Sequence, residues 1–460
     1  MAEYHVENFG CRASRADGEM IGAELRHRGL SQALHPSQAD VIVANTCSVT
    51  AEADKSARAF LRRMRRQNPT ARILVTGCYA QRAPGEVAGL AGVHAVVGNS
   101  HKALVADLAV QAADFVPLSA LQSPARYVDD AFAHSDLAMP EGAWRADARQ
   151  TRPNLKVQDG CGNLCSFCII PTTRGHSRSL PLEACLREVQ AFVLAGGTEM
   201  VLSGINLGRW GRDLKPASAL EELVSAILRQ TALPRLRLSS IEPMDWTTQL
   251  LALFVKFDGR LARHAHLPLQ SGADAILRAM HRRYRPWHYA DKLRQVRESM
   301  PDAAIGADVM VGFPGETDAL FEESLDFIVA QPFTYLHLFP FSPRPGTRAA
   351  ELAREHPVAP QVVAKRSIRL RTVIASKNHT FRQSFVGREL PAVTLHTELG
   401  KPTKAPTKAL TDNFLEVRLN DELGANQNVR VLVTGLTDTG LIGRVVTRPA
   451  LEGTANHNSE

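Results

Sequence analysis

Cys161, Cys165 and Cys168 form a C-x3-C-x2-C run, and Cys11, Cys47 and Cys78 form a second, dispersed set. Three close thiolates are too few to complete a tetrahedral zinc site or to hold all four irons of a cube. A cube bound by three cysteines keeps one iron open for a further ligand, so this spacing points to iron–sulfur chemistry rather than to structural zinc. A zinc reading needs a fourth ligand, for which His176 is the nearby candidate. The second set has the same composition, and each of its members follows an apolar, strand-like run. The remaining thiol, Cys185, sits within the helical pattern Leu182–Leu194 and reads as a core residue.

The elements that position these thiols follow from periodicity. Over residues 1–105, strand-like runs (Tyr4–Asn8, Asp40–Asn45, Ile73–Thr76, Ala95–Val97) alternate with helical stretches such as Glu52–Arg66. That alternation predicts an open parallel α/β sheet, whose ligand edge lies at the carboxyl ends of its strands. Cys11, Cys47 and Cys78 all fall at that edge. Residues 106–146, with Pro117, Pro124 and Pro140, read as a surface linker. Over 147–377 six short strands alternate with longer helices: Leu155–Gln158, Met200–Ser203, Leu236–Ser239, Ala265–Leu269, Ile305–Val311 and Tyr335–Phe341. Six βα units give a partial barrel, since eight are needed for a closed one. The close cysteine run directly follows its first strand. Residues 379–446 turn to period-two alternation around Val429, Val431 and Val433 and predict a small β-barrel, with a disordered tail over 447–460.

Composition limits the setting. The 460-residue chain is 44% hydrophobic, carries a formal charge of +7 and lacks both a leader-like start and an apolar run long enough to span a membrane. A cytoplasmic location is expected, where clustered thiols are ligands rather than disulfides. The excess of basic residues suits a polyanionic partner. No Ser-His-Asp set, H-E-x-x-H or Walker loop supports a hydrolase or NTPase.

The run Lys156-Val157-Gln158-Asp159-Gly160-Cys161-Gly162-Asn163-Leu164-Cys165-Ser166-Phe167-Cys168-Ile169-Ile170-Pro171 resembles the core of the radical-SAM methylthiotransferases. The resemblance extends to Asn45-Thr46-Cys47, Gly77-Cys78-Tyr79-Ala80-Gln81, Gly204-Ile205-Asn206-Leu207-Gly208, His266-Leu267-Pro268-Leu269-Gln270-Ser271-Gly272 and Gly306–Thr317, in the family's order along nearly the whole chain. It implies a [4Fe-4S] cluster on Cys161, Cys165 and Cys168 that binds S-adenosylmethionine and generates a 5′-deoxyadenosyl radical. It also implies a second [4Fe-4S] cluster on Cys11, Cys47 and Cys78 that delivers sulfur, and a TRAM-like terminal barrel. Gly204 and Asn206 are expected at the cofactor's methionyl end, and Ser239, Gln270 and Val311 at its ribose or adenine. The Gly204–Gly208 motif looks most like the branch acting on threonylcarbamoyladenosine beside the tRNA anticodon. The alternatives are the isopentenyladenosine branch, then the branch that modifies a ribosomal-protein aspartate. From a different class, an iron–sulfur redox sensor that binds nucleic acid would account for the thiols and charge, but not for the barrel motifs.

The resemblance also implies a tRNA anticodon loop and an electron donor such as flavodoxin or ferredoxin as partners, with the protein acting as a monomer. Two positions depart from the family pattern. Ser14 stands where an Asn is usual, and the terminal barrel is nearly neutral, with eight Lys/Arg against seven Asp/Glu over 381–446. Basic residues cluster instead at Arg62, Arg63 and Arg66, at Arg282, Arg283 and Arg285, and over Lys365–Arg371. The first two clusters are the expected RNA contacts.

Overall fold

The computed structural model describes residues 2–110, 124–130, 132, 137, 151–396 and 406–447. The N-terminal sheet contains β1 (Glu3–Asn8), β2 (Ser31–Gln32), β3 (Val41–Thr46), β4 (Arg72–Gly77), β5 (Val93–Val97) and β6 (Ala125–Tyr127). Its order is β2-β1-β3-β4-β5-β6, with every pairing parallel. All six residues of β3 are buried, as expected for a central parallel strand covered on both faces. The helix Ala51–Gln67 starts where Thr50 accepts a hydrogen bond from the Ala53 N–H, with Glu52 and Asp54 in its first turn and Arg65 and Arg66 in its last. Within the stretch read as linker, Leu104–Val110 is helical and β6 extends the sheet. Most of that stretch, and all but the first residue of the expected tail, lie outside the described residues.

The central region has the six expected parallel strands: β7 (Asn154–Asp159), β9 (Glu199–Gly204), β10 (Arg235–Leu238), β11 (His264–His266), β12 (Ala304–Val311) and β13 (Tyr335–Pro340). A short antiparallel edge strand, β8 (Arg178–Ser179), flanks β7. The strands run as two sheets, β8-β7-β9-β10 and β11-β12-β13. The isolated bridge Leu236–Leu261 and the Ile241 N–H bond to the His266 carbonyl span the gap between them.

Alternation along these strands sorts their side chains. Leu155, Val157, Met200, Leu202, Leu236, Leu238, Ala265, Ile305, Ala307 and Val309 join one apolar core against the outer helices. Cys185 lies in the same core and is fully buried, as expected. The intervening residues on the opposite strand faces include Lys156, Gln158, Glu199, Arg237, His264, His266, Asp308, Tyr335 and His337. The inside of the partial barrel is therefore polar.

The remaining strands, β14 (Glu389–Thr394), β15 (Thr407–Thr411), β16 (Glu416–Leu419), β17 (Asn428–Leu436) and β18 (Leu441–Thr447), close a five-stranded barrel. The helix leading into it runs over Pro360–Gln383. The turn after β15 plugs the amino-terminal end of the central barrel. Arg237 donates to the carbonyls of Thr411 and Asp412 (3.0 Å each), Arg263 pairs with Asp412 at 2.6 Å, and Phe414 lies 4.4 Å from the His264 ring, centroid to centroid.

Candidate cluster sites

Cys11, Cys47 and Cys78 follow the adjacent strands β1, β3 and β4 and converge at the carboxyl edge of the sheet. Gly10 turns the chain into Cys11 at φ +115°, where a side chain is strained. A Cβ there would also lie 2.4 Å from Cys47 Cβ, so Gly10 permits the approach of two of the thiols. The same kind of turn precedes Cys78, at Gly77 (φ +97°), and Cys161, at Gly160 (φ +73°). Gly10→Ala should therefore lower the iron content of the second site while leaving the first filled, as read by iron analysis of Gly10→Ala beside a Cys165→Ala reference.

Burial, reinforced by Cys11 and Cys78, pushes the Cys47 thiol up to about 12. Burial likewise pushes Cys168 up to about 12 and raises Cys165, where it outweighs the opposing Arg282. Such thiols bind metal as thiolates and release their protons when they do.

Several N–H groups point at these sulfurs. Cys161 Sγ accepts from the Asn163 N–H (3.4 Å) and from Asn206 Nδ2 (3.6 Å). Cys165 Sγ accepts from Arg282 Nη1 (3.3 Å), Cys47 Sγ from the Val49 N–H (3.5 Å), and Cys78 Sγ from Asn99 Nδ2 (3.4 Å). Hydrogen bonds to sulfur are one of the means by which proteins tune iron–sulfur potentials.

Neither trio brings its three sulfurs within 4.8 Å of one another; among the described residues only His266, Asp308 and His337 form such a group. A single tetrahedral zinc with 2.3 Å bonds needs sulfurs about 3.8 Å apart. His176, the proposed fourth zinc ligand, is exposed. Both trios are thus more open than a single tetrahedral zinc requires. Anaerobically purified protein should contain about eight irons and eight sulfides per chain; stoichiometric zinc would contradict this.

Between the two sites lies a buried charge network. Asp17, on the helix Arg12–His27, takes Lys102 at 2.5 Å and Arg174 at 2.8 Å, and also bonds Lys156. Arg174 and Lys156 also hold Asp159, at 2.9 Å each. Burial alone would raise the Asp17 carboxyl, but Lys102, Lys156 and Arg174 hold it well below the carboxylate range. At Lys102, which shares Asp17 with two other cations, burial wins and lowers the ammonium to about 8. Replacing Asp17 by Ala leaves three buried cations with one carboxylate fewer, and should cost ~3–5 kcal/mol in denaturant unfolding.

The expected cofactor residues divide. Asn206 ends its strand loop with its N–H on Gln158 Oε1 (2.7 Å) and its own Oδ1 buried without a partner. Gly204 abuts the Gln158 side chain, and the Ser239 hydroxyl is buried without a partner. Gln270, at φ +68°, bridges to β12 through backbone bonds. Val311 is different: its side chain packs into the outer apolar core, so it offers the barrel interior only backbone. Asn206, Gly162, Asn163, Arg209 and Arg283 line a cavity of about 250 Å³ beside the Cys161 loop.

The basic residues divide as well. Arg62, Arg63 and Arg66 are exposed on one helix, with no carboxylate partner among the described residues. Arg283 is exposed, but Arg282 is buried against Cys165, paired with Glu242 and stacked over Tyr284. Arg282 is therefore a partner of the cysteine loop and not an RNA contact. Arg285 is half-buried and lies 3.3 Å from Asp274. In the third cluster Arg366 is buried on Glu316 and Arg369 pairs with Glu322. Ser14 is buried, its hydroxyl on the Phe9 carbonyl (3.1 Å). The amide near it is that of Asn45, which bonds Asn8 and the Ser14 carbonyl.

Residues 3–98 match a family described as Uncharacterized protein family UPF0004, and residues 155–328 match the Radical SAM superfamily. A threonylcarbamoyladenosine tRNA methylthiotransferase MtaB of Bacillus subtilis is 33% identical over 95% of this chain and 95% of its own length. The MtaB of Aquifex aeolicus is 32% identical over 93% and 99%. The chain belongs to the radical-SAM methylthiotransferases. The family also includes relatives with another printed substrate: a tRNA-2-methylthio-N(6)-dimethylallyladenosine synthase of Parafrankia is 33% identical over 99% of this chain and 88% of its own. Among solved structures, the radical S-adenosylmethionine methyltransferase TsrM of Kitasatospora setae shares the fold, with a TM-score of 0.56 and 14% identity over 77% of this chain and 76% of that one. As a radical-SAM methylthiotransferase, the protein is an enzyme whose family chemistry uses a [4Fe-4S] cluster and S-adenosylmethionine. No described helix is long and apolar enough to cross a membrane.

Proposed function

We propose that this enzyme adds a methylthio group to C2 of N6-threonylcarbamoyladenosine next to the tRNA anticodon, using two [4Fe-4S] clusters. The observation that carries the two-site reading is the convergence of Cys11, Cys47 and Cys78 at one sheet edge, joined to the Cys161–Cys168 loop through Asp17 and Arg174. When bound, the clusters and S-adenosylmethionine supply one-electron chemistry at an unreactive C–H bond and the sulfur that replaces its hydrogen. Cys161, Cys165 and Cys168 hold the first cluster, with Arg282 and Asn206 hydrogen-bonded to its thiolates. Gly204, Asn206, Ser239 and Gln270 face the cofactor. Cys11, Cys47 and Cys78 hold the second cluster. An electron donor protein such as flavodoxin or ferredoxin supplies the reducing equivalent, and the protein works as a monomer in the cytoplasm. The domains run over 1–105, extended by the helix Leu104–Val110 and by β6, then over 147–377 and 379–446. The substrate assignment rests on the printed names of the MtaB relatives over most of the chain. Mass spectrometry of tRNA nucleosides from a strain lacking the gene should show only the methylthiolated threonylcarbamoyladenosine missing; loss of the dimethylallyl form instead favours the second branch.

In the RNA complex the target base leaves its stack to reach the barrel, and outer cations hold the loop's phosphates. Arg63→Glu with Arg66→Glu should weaken tRNA binding and flatten its dependence on salt. The control is Arg418→Glu with Arg444→Glu, on exposed positions of the terminal barrel. Deleting that barrel is a poorer control, because it also strips Asp412 and Phe414 from the central barrel. A larger loss from the barrel pair than from the helix pair places the RNA on the barrel.

A further inference from the structure

Arg12 adjoins Cys11 in the first turn of the helix Arg12–His27. Its guanidinium lies 5.8 Å from the ring centre of Phe414, the residue that plugs the central barrel, and Tyr335, Arg237, Asp308 and Glu199 are its electrostatic neighbours. The side chain thus runs from the second cysteine site into the barrel interior. It makes no hydrogen bond or ion pair to any described residue. The nearby carboxylates are engaged elsewhere. Glu199 is held by Arg152 (2.6 Å), Arg237 (2.8 Å) and Arg235 (3.4 Å). Asp308 lies between His266 (3.4 Å) and His337 (3.3 Å).

The guanidinium of Arg12 is part-buried and has no counter-ion among the described residues, so it is free to take an anionic ligand. The surroundings favour an anion. Arg152, Arg235 and Arg237 all pair with Glu199, which leaves that carboxylate more than matched in charge and none of it for Arg12. The buried Nδ1 of His264 has no partner, and the helix that starts at Arg12 has no side-chain cap, so its positive end is open. The half-exposed His337 and the exposed Phe339 leave the interior open on this side.

The two substrates printed for relatives differ in the group on the adenine N6. Threonylcarbamoyl carries a carboxylate and a hydroxyl; dimethylallyl is a hydrocarbon. Both C2, where sulfur enters, and N6 lie along one edge of the ring. A base with C2 at the Cys11 site therefore holds its N6 substituent within reach of a side chain that starts one residue away.

We propose that Arg12 is a specificity-determining residue that binds the carboxylate of the N6 substituent inside the barrel and so selects an anionic substituent over an apolar one. This rests on the threonylcarbamoyl reading above and adds the group that enforces it. The guanidinium takes the carboxylate through two parallel N–H···O bonds, which a neutral ester cannot reproduce.

The test is an anaerobic competition between two tRNA anticodon stem-loops, one bearing threonylcarbamoyladenosine and the other its methyl ester, with products read by mass spectrometry. The wild-type enzyme should prefer the acid by roughly a hundredfold, as sites built around a charged partner do. Arg12→Gln should lower that ratio to within about threefold, and Arg12→Lys should keep part of it. The ratio compares two substrates on one enzyme, so partial loss of cluster in a variant cancels. An unchanged ratio in Arg12→Gln overturns the proposal. So does a wild-type enzyme that takes acid and ester alike, a result that needs no variant and leaves the substrate reading standing. A wild-type enzyme that modifies only a dimethylallyladenosine stem-loop overturns the substrate reading, and this inference with it.

Discussion

Cys165→Ala protein, reconstituted with iron and sulfide and reduced with dithionite, should produce no 5′-deoxyadenosine above background. Cys165 is mostly buried in the loop after β7, and Arg282 donates to its sulfur while paired with Glu242. No other described thiol can take its place: Cys185 is buried in the outer core. With two thiolates left, the loop cannot fix a cube, and the electron source for cofactor cleavage goes with it. The expected loss exceeds a hundredfold, beyond what a shifted positioning group would cost. Steady 5′-deoxyadenosine production by a well-folded Cys165→Ala protein would remove the first cluster from these residues.

The second large effect separates the two sites. Cys47→Ala should still cleave S-adenosylmethionine without tRNA, yet attach no sulfur. Cys47 is buried against Gly10, on the sheet of a different region from the barrel strands. Its removal changes no hydrogen bond to Cys161, Cys165 or Cys168. Between the sites stands the Asp17–Lys102–Lys156–Asp159–Arg174 network, whose bonds involve neither Cys47 nor its loop. Cys47→Ala should thus hold about half the iron of the wild type. A Cys47→Ala protein with the first cluster intact but no cofactor cleavage would mean that the two trios do not divide the work in this way.

Much of this arrangement was legible in the sequence. Apolar residues at regular spacing marked β1, β3, β4 and five of the six barrel strands within a residue or two, because one face of each must pack on the core. The run read as Ala265–Leu269 overshoots β11 by three residues, where the chain goes on bonding to β12 beyond the strand. The thiols followed from their place after those runs. What escaped was carried by side-chain direction. Val311 stands beside a glycine motif at a strand end, but alternation turns its side chain outward. Arg282 sits in a basic run that reads as a surface patch, yet its neighbour Cys165, 117 residues away in sequence, draws it inside. Arg12 gave no local signal at all. A usable signal was present in the polar alternation of the strands themselves: Arg235-Leu236-Arg237-Leu238, His264-Ala265-His266 and Tyr335-Leu336-His337-Leu338 place charge and imidazole on the face opposite the apolar core. Strands that alternate this way inside a partial barrel mark a substrate chamber. The three Gly-Cys pairs at Gly10, Gly77 and Gly160 were a second overlooked signal, since each needs the positive φ that admits its thiol.

The central claim is that one chain holds two clusters with different tasks and uses them on threonylcarbamoyladenosine. It is tested most directly by a single anaerobic reaction of the reconstituted wild-type protein with S-adenosylmethionine, dithionite and tRNA bearing that nucleoside, followed by nucleoside mass spectrometry. The account predicts the 2-methylthio derivative together with 5′-deoxyadenosine. Production of 5′-deoxyadenosine with the nucleoside left unmodified, while tRNA bearing dimethylallyladenosine is methylthiolated under the same conditions, would contradict it.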